Sequence, residues 1–266
     1  MIRRPQAGHM ALRVLGTVTI ALLLAPPPAP AQEKGEGPAT LFLSYKCEPA
    51  KRAAFRAHMA GPGVAQFETW KKDGAYKDYL VLFSSYVNRR ELDMLVRLDF
   101  AKYADTEKWK AIERTMPGGL SAEALALCSP DYAYLADLAW EGASPTRNLG
   151  KAVYLYIQYH FEKGIGKPEY KKYFETYVKP QNDAWLAEKA LSGWSLYLNQ
   201  HTAGFPWDAL LLYEYSDAAG LARRDEVKSR VRVKLATDPA WKAVSDGKES
   251  VRTEDQVVLM DPILPR

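Results

Sequence analysis

Two histidines stand at strand-like positions where an imidazole could serve as a general base. The run KAVYLYIQYH, residues 151–160, alternates two faces and ends its more polar face at His160. The run GWSLYLNQH ends in the same way at His201. An imidazole titrates near neutral pH, and a nearby tyrosine hydroxyl donates to a developing oxyanion, so these faces predict acid–base chemistry or ligand binding. The other members of the two faces are Tyr154, Tyr156, Gln158, Tyr197 and Asn199.

Charged side chains occupy similar positions in two further strand-like runs. Arg97 and Asp99 alternate with apolar residues in LDMLVRLDF, and Glu214 does so in WDALLLYEY. An inward-facing arginine would orient an acidic substrate. Asp99 and Glu214 leave glycoside hydrolysis open, because the sequence does not fix the separation of the two carboxylates. A hydrogen-bonded network that seals the interior without a ligand is an equally open interpretation. The predicted substrate-binding set is Arg97, Asp99, Gln158, Asn199 and Glu214.

Several site classes lack their motifs. The chain contains no G-x-S-x-G, no G-x-G-x-x-G and no P-loop, so the sequence does not support a serine hydrolase, a dinucleotide-binding protein or a nucleoside triphosphatase. It has four histidines and no H-x-x-x-H, and no third ligand at metal-site spacing accompanies His160 and His201. We therefore predict no metal site.

The first 31 residues have the pattern of an export leader. A basic start with Arg3 and Arg4 precedes an apolar run and the small residues Ala29-Pro30-Ala31, which predicts cleavage after Ala31 and a periplasmic or secreted protein. The apolar run is too short for a membrane span. Without Arg3, Arg4 and Arg13, 33 basic residues face 32 acidic ones. This near-neutral balance argues against a nucleic-acid partner.

The elements of the remaining chain follow one order twice. After a polar segment at 32–39, which we expect to be flexible, residues 40–141 read β-α-β-β-α-β. Residues 142–151 form a linker, and residues 152–262 repeat the order. Local similarity supports a duplication, since DMLVRLDF aligns with DALLLYEY and TEKWKAI aligns with DPAWKAV.

A β-α-β-β-α-β unit is the ferredoxin-like split βαβ motif. Two such units in one chain resemble the dimeric α/β-barrel superfamily, in which two sheets face each other and the helices pack outside. The resemblance implies an α+β fold, two tandem ferredoxin-like repeats forming an intramolecular barrel, and a pocket between the sheets. Haem-binding relatives carry a histidine near the second helix of the repeat. Neither region here, around Trp109 or Trp241, has one, so we predict no cofactor.

The implied strand order 4-1-3-2 also bears on the two cysteines. It makes the first and fourth strands of a repeat antiparallel neighbours. Cys47 ends the first strand of the first repeat, and Cys128 precedes its fourth. In an oxidising compartment this placement predicts a disulfide, with two buried thiols as the alternative.

The sequence thus predicts an exported protein that binds a small aromatic or amphipathic molecule. One alternative is a cofactor-independent oxygenase, isomerase or lyase that uses His160 or His201 as base, assisted by Tyr154, Tyr156 or Tyr197. Another alternative is a protein-interaction module that uses an exposed sheet edge. A homodimer is compatible with each of these three functions.

Overall fold

The computed structural model of the protein describes residues 37–201 and 206–265. The export leader predicted over 1–31 lies outside the described residues, as does most of the flexible segment predicted over 32–39. Within the described ranges, no helix is long and apolar enough to cross a membrane.

The strands of the described chain are connected mainly through helices. The strands are β1 (Ala39–Cys47), β2 (Asp78–Ser84), β3 (Met94–Phe100), β4 (Cys128–Ala143), β5 (Val153–Phe161), β6 (Leu191–Asn199), β7 (Ala209–Tyr215) and β8 (Arg252–Pro262). The α-helices are α1 (Arg52–His58), α2 (Val64–Lys72), α3 (Thr106–Glu113), α4 (Ala122–Leu125), α5 (Lys167–Tyr173), α6 (Lys179–Ala187), α7 (Ala218–Ala222), α8 (Arg224–Leu235) and α9 (Pro239–Asp246). The strand β4 extends into the predicted linker at 142–151, and the predicted domain boundaries stay predictions.

The strands close into one antiparallel barrel. Their order around the barrel is β1-β3-β2-β8-β5-β7-β6-β4, and β4 pairs with β1 to complete the ring. The class is therefore α+β with a closed barrel, as the resemblance implied. Since closure leaves none of these strands with a free edge, the interaction module predicted on an exposed edge loses its basis within the described chain. Closure within one chain also means that a second subunit is not needed to complete the sheet, and the homodimer stays a prediction.

Alternation along the strands separates an inner from an outer face. Leu155 and Ile157 belong to an apolar cluster that β5 shares with the helices α5 and α6, whereas Tyr154 and Tyr156 belong to a cluster inside the barrel. In β6, Tyr197 points inward and Leu196 points toward the helices. The predicted direction of these faces is confirmed, because successive side chains of a strand point to opposite sides.

A proline interrupts the first long helical region of each half, and a wide turn accommodates it. Residues Met59–Gly63, between α1 and α2, form a π-helical turn that contains Pro62. Residues Phe174–Val178, between α5 and α6, form another, which ends just before Pro180. Proline lacks the amide hydrogen of a regular helix, and a π-turn relieves the resulting clash without ending the helix.

The two cysteines form the predicted disulfide. Cys47 and Cys128 are directly paired residues of β1 and β4, with their Cα atoms 4.3 Å apart. The bond joins positions 81 residues apart, and both side chains are buried. The disulfide thus fastens the beginning of β4 to the end of β1.

Candidate functional site

The polar residues of the barrel interior form two groups at opposite ends. The strands β1, β2, β5 and β6 run in one direction, and the other four run against them. We call the end with the first residues of β1 and β5 the lower end and the opposite end the upper end. An apolar and aromatic layer fills the interior between them, and it includes Phe42, Leu82, Leu95, Trp207, Leu210 and Val258.

Arg97 organises one side of the lower end. Its guanidinium lies 2.9 Å from a carboxylate oxygen of Asp99 and donates to the Tyr197 hydroxyl at 3.2 Å. The Thr40 hydroxyl donates to Asp99 at 3.1 Å. Three predicted site residues are thus brought together, and they largely satisfy one another.

Glu214 organises the other side of the lower end. Its buried carboxylate accepts hydrogen bonds from two nitrogens of Arg147, from the Tyr154 hydroxyl at 2.7 Å and from the Ser192 hydroxyl at 2.7 Å. The void beside these groups is only about 30 Å³, the volume that one water occupies in the liquid. The lower end is therefore a polar network with no room for an organic ligand.

The two lower carboxylates respond to their surroundings in opposite ways. Burial alone would raise the pKa of Glu214, but the hydrogen bonds from Arg147, Ser192 and Tyr154 outweigh it and lower the pKa. Burial also raises the pKa of Asp99, where the attraction of Arg97 and the hydrogen bond from Thr40 do not fully compensate. The surroundings of Glu214 thus favour its charged form, whereas the surroundings of Asp99 disfavour its charged form.

Both predicted catalytic histidines lie at the upper end, away from Arg97 and Glu214. Nδ1 of His160 is 3.6 Å from a carboxylate oxygen of Asp208, and its side chain is 39% exposed. His201 is exposed, and its backbone N–H donates to the Asn199 side-chain oxygen at 3.1 Å. Neither histidine lines the upper cavity described next, and their catalytic roles stay predictions.

A cavity of about 270 Å³ opens at the upper end of the barrel. Tyr134, Tyr156 and Gln158 are buried side chains in its wall, and Ser44 and Lys46 contribute from the end of β1. The Gln158 amide nitrogen donates to the Tyr156 hydroxyl. We call this cavity the upper pocket. It contains two residues of the predicted site, Tyr156 and Gln158.

Two β-bulges shape the rim of the upper pocket. Between the pairs Tyr45–Pro130 and Leu43–Ala133, two residues of β4 lie opposite the single residue Ser44, and the first of them is Asp131. In β8, Asp255 is the extra residue between the pairs Gln158–Gln256 and Tyr159–Glu254. Both aspartates line the pocket. Bulges at barrel rims redirect side chains, often next to functional sites.

The sequence prediction missed both aspartates. Each is the first residue of a run, DYAYLADLAW or DQVVLM, in which the alternation becomes regular. The observed strands begin earlier, at Cys128 and Arg252, so each aspartate lies inside a strand at a break in the alternation. That break in the alternation was the sequence signal for a bulge. An inserted residue shifts the alternation of faces by one position, so the residues before and after it fall out of phase.

Burial shapes the electrostatics of the upper pocket. It raises the pKa of Asp131, which the charge of Lys46 partly offsets. It also raises the pKa of Glu91, which a hydrogen bond with the Asn88 side chain and the charge of Lys46 partly offset. Burial also raises the pKa of both tyrosines, Tyr134 and Tyr156, so their hydroxyls stay protonated at physiological pH. The described residues contain no group of three or more His, Cys, Asp or Glu side chains arranged to hold a metal ion.

Comparisons with known proteins find similar solved structures. No family model and no curated protein matches the chain. Among solved structures, an anthrone oxidase-like protein aligns over 88% of this chain and 94% of its own, with 14% identity and a TM-score of 0.54. A monooxygenase candidate from Lactobacillus acidophilus NCFM aligns over 86% and 95%, with 11% identity and a TM-score of 0.48. A mutant chlorite dismutase from Candidatus Nitrospira defluvii aligns over 85% and 91%, with 10% identity and a TM-score of 0.49.

These similarities concern the fold alone, given the low identities. The match to the anthrone oxidase-like protein covers nearly the whole of both chains. Together with the closed barrel of eight antiparallel strands, it assigns this chain the dimeric α/β-barrel fold.

Proposed function

We propose that this protein binds a small aromatic or amphipathic molecule in the upper pocket. The observation that carries the proposal is a cavity of about 270 Å³, walled by buried tyrosine and amide groups. Its size is close to the lower limit for pockets that bind small molecules. The interior below it is filled with side chains, and the lower end has no comparable space.

The wall of the upper pocket retains hydrogen-bonding capacity for such a ligand. The Tyr156 hydroxyl accepts from Gln158 and donates to none of the described residues, so its hydrogen is available. The amide oxygen of Gln158 likewise accepts no hydrogen bond from the described chain. Polar groups buried in this way usually find a partner, and a ligand hydroxyl, carbonyl or amine would supply one.

The proposal includes a tandem origin of the barrel. In support, the strand orders β4-β1-β3-β2 and β8-β5-β7-β6 are the same when the halves are superposed. Equivalent aspartates also make the same contacts: Asp93 accepts from the Cys47 backbone, and Asp208 accepts from the Phe161 backbone, both at 2.8 Å. The upper pocket would then lie on the pseudo-twofold axis between two ferredoxin-like units.

The proposal also includes export. The leader pattern over residues 1–31 supports it, and so does the disulfide, since disulfides persist mainly in oxidising compartments. We therefore propose that the pocket meets its ligand outside the cytoplasm.

Replacing Gln256 with tryptophan is expected to exclude the ligand. Gln256 lies on the pocket rim, where an indole ring would fill the mouth. The matched control is Val257→Trp, because Val257 is exposed and pairs with Ile157, which packs on the helix side of the sheet. The measurement is native mass spectrometry of each protein purified from its own host.

Wild type and Val257→Trp should carry the same added mass, and Gln256→Trp should carry none. A ligand retained equally by all three proteins would place binding elsewhere. A clean apo mass for the wild type under gentle conditions would count against a tightly bound molecule.

A cofactor-independent oxygenase, isomerase or lyase is the second candidate. Two observations favour it: the fold is shared with an anthrone oxidase-like protein, and Asp131 and Glu91 are carboxylates with raised pKa values in a pocket with tyrosine hydroxyls. Such a carboxylate would replace the predicted histidines as general base, and Tyr156 would donate to the developing oxyanion.

Incubating the released molecule with fresh protein separates these functions. Oxygen uptake that Asp131→Asn abolishes would establish an oxygenase. A changed product without oxygen uptake would indicate an isomerase or lyase, and an unchanged molecule would leave binding as the function.

A further inference from the structure

We propose that the ligand of the upper pocket is a small organic cation, an ammonium group carried on an aromatic or apolar body. This inference rests on the proposed function and specifies the chemical class of its ligand. Its basis is the placement, around the pocket, of two aspartates that form no ion pair in the described chain and of the unpartnered amide oxygen of the buried residue Gln158.

The two rim aspartates occupy equivalent positions in the two halves. Asp131 lies in the bulge opposite Ser44, and Asp255 lies in the bulge opposite Gln158. Ser44 and Gln158 are themselves equivalent, each five positions beyond the first residue of its strand. The pocket therefore receives one of these two aspartates from each half, on opposite sides of its mouth.

These aspartates differ from the lower carboxylates in forming no direct ion pair with another described residue. Glu214 is paired with Arg147, and Asp99 is paired with Arg97. Neither Asp131 nor Asp255 forms an ion pair with any residue in the described parts of the chain. Both aspartates are exposed at the rim of the pocket, so their charges are accessible to an incoming cation.

The basic residues of the rim do not cancel this preference. Lys46 donates to the backbone carbonyls of Glu91 and Asn88, so its ammonium group is held by the loop between β2 and β3. Arg90 is exposed at the mouth. Three carboxylates, those of Glu91, Asp131 and Asp255, face these two bases around the pocket.

The inner wall suits an ammonium group as well. The Gln158 side-chain oxygen is an acceptor with no partner in the described chain, and the residue is only 4% exposed. An ammonium group has three donors and no acceptor, so it matches this oxygen together with the two aspartates. The stacked rings of Tyr132 and Tyr134, with centroids 5.7 Å apart, add aromatic surface that attracts cations.

Three phenols with matched bodies test the inference. Tyramine carries an ammonium group, 4-ethylphenol is neutral, and 3-(4-hydroxyphenyl)propionate carries a carboxylate. In isothermal titration calorimetry with the full protein at pH 7 and low salt, tyramine should bind about tenfold more tightly than 4-ethylphenol, the effect of one charge-assisted hydrogen bond. The carboxylate should bind least tightly of the three.

Variants of the aspartates locate the effect. Asp131→Asn and Asp255→Asn should each weaken tyramine binding about tenfold and leave 4-ethylphenol binding unchanged. The control is Asp137→Asn, an exposed position of the same strand outside the pocket, which should change neither affinity. Unchanged 4-ethylphenol binding also shows that each variant is folded.

Each failure has its own pattern. Equal binding of the three phenols, or a preference for the carboxylate, would overturn the cation inference and leave the pocket intact. A tyramine preference that survives both asparagine variants would overturn the role of the aspartates. Absence of tyramine binding also overturns the inference, whereas the pocket itself is judged by the Gln256→Trp and Val257→Trp proteins.

Discussion

Replacing Glu214 with leucine is expected to lower the free energy of unfolding by about 2–4 kcal/mol, because each buried donor left without an acceptor costs about 1–3 kcal/mol. The Glu214 side chain is 3% exposed and accepts hydrogen bonds from Arg147, Tyr154 and Ser192. Leucine would leave two buried hydroxyls without an acceptor and Arg147 without its counter-ion, and each unsatisfied group adds to the loss. Urea unfolding at pH 7 measures the change.

Glu214→Gln is the matched control, because it keeps the shape and one acceptor oxygen but loses the charge. Its loss should be smaller than that of leucine. A leucine variant as stable as the wild type would show that the Glu214 network contributes specificity of packing rather than stability.

The pH dependence of this contribution has a definite sign. Since the folded state lowers the pKa of Glu214 below its ordinary 4.5, the unfolded state binds more protons in that range. The stabilisation is therefore complete above pH 4.5 and is lost as the pH falls through the folded pKa. The stability difference between wild type and Glu214→Gln should be constant near neutral pH and shrink in acid.

Asp99 should show the opposite sign. Its pKa in the folded protein is raised above the ordinary 3.8, so the folded state binds more protons than the unfolded state in that window. The stability of the wild type relative to Asp99→Asn should therefore fall as the pH rises above 3.8. If the stability difference from the wild type changed with pH in the same direction for Glu214→Gln and Asp99→Asn, the two carboxylates would not have the different environments described above.

Much of the barrel follows from the alternation of the sequence. The inward direction of Tyr154, Tyr156 and Tyr197 could be predicted, because a period of two assigns each residue of a strand to a face. The pairing of Cys47 with Cys128 could also be predicted once the strand order was assumed. Both inferences depend on local pattern and on the order of neighbouring strands alone.

Position along the barrel axis was harder to predict. Glu214 and His160 both lie near the C-terminal ends of their strands, but β7 runs against β5, so the two residues end up at opposite ends of the barrel. The predicted site was therefore too large: a histidine base and an arginine that orients the substrate do not share one cavity. A prediction that used both the inward face of each strand and the direction of each strand would have placed the histidine and the arginine at opposite ends of the barrel.

Arg147 and the rim aspartates depend on information that a local pattern does not contain. Arg147 lies in the predicted linker, and its contact with Glu214 spans 67 residues. Asp131 and Asp255 face the pocket because of bulges, and a bulge is defined by the partner strand as much as by its own sequence. Long-range pairing therefore determines the parts of the site that the sequence left undetermined.

Removing the Cys47–Cys128 disulfide is expected to lower the free energy of unfolding by about 2–5 kcal/mol. The bond closes a long loop, since the two positions are 81 residues apart in the sequence, and so restricts the unfolded chain strongly. It also holds β1 against β4, beside the bulge that carries Asp131. The measurement is urea unfolding of the Cys47→Ser, Cys128→Ser double variant.

Reductant provides the internal control for this loss. Wild type unfolded in the presence of reductant should approach the stability of the double variant, and the double variant itself should not respond. Because the disulfide acts mainly on the unfolded chain, the folded double variant should retain its affinity for the ligand of the upper pocket. The contradicting result would be an unchanged urea unfolding transition of the wild type after mass spectrometry has confirmed two free thiols. In that case the disulfide would not contribute to stability.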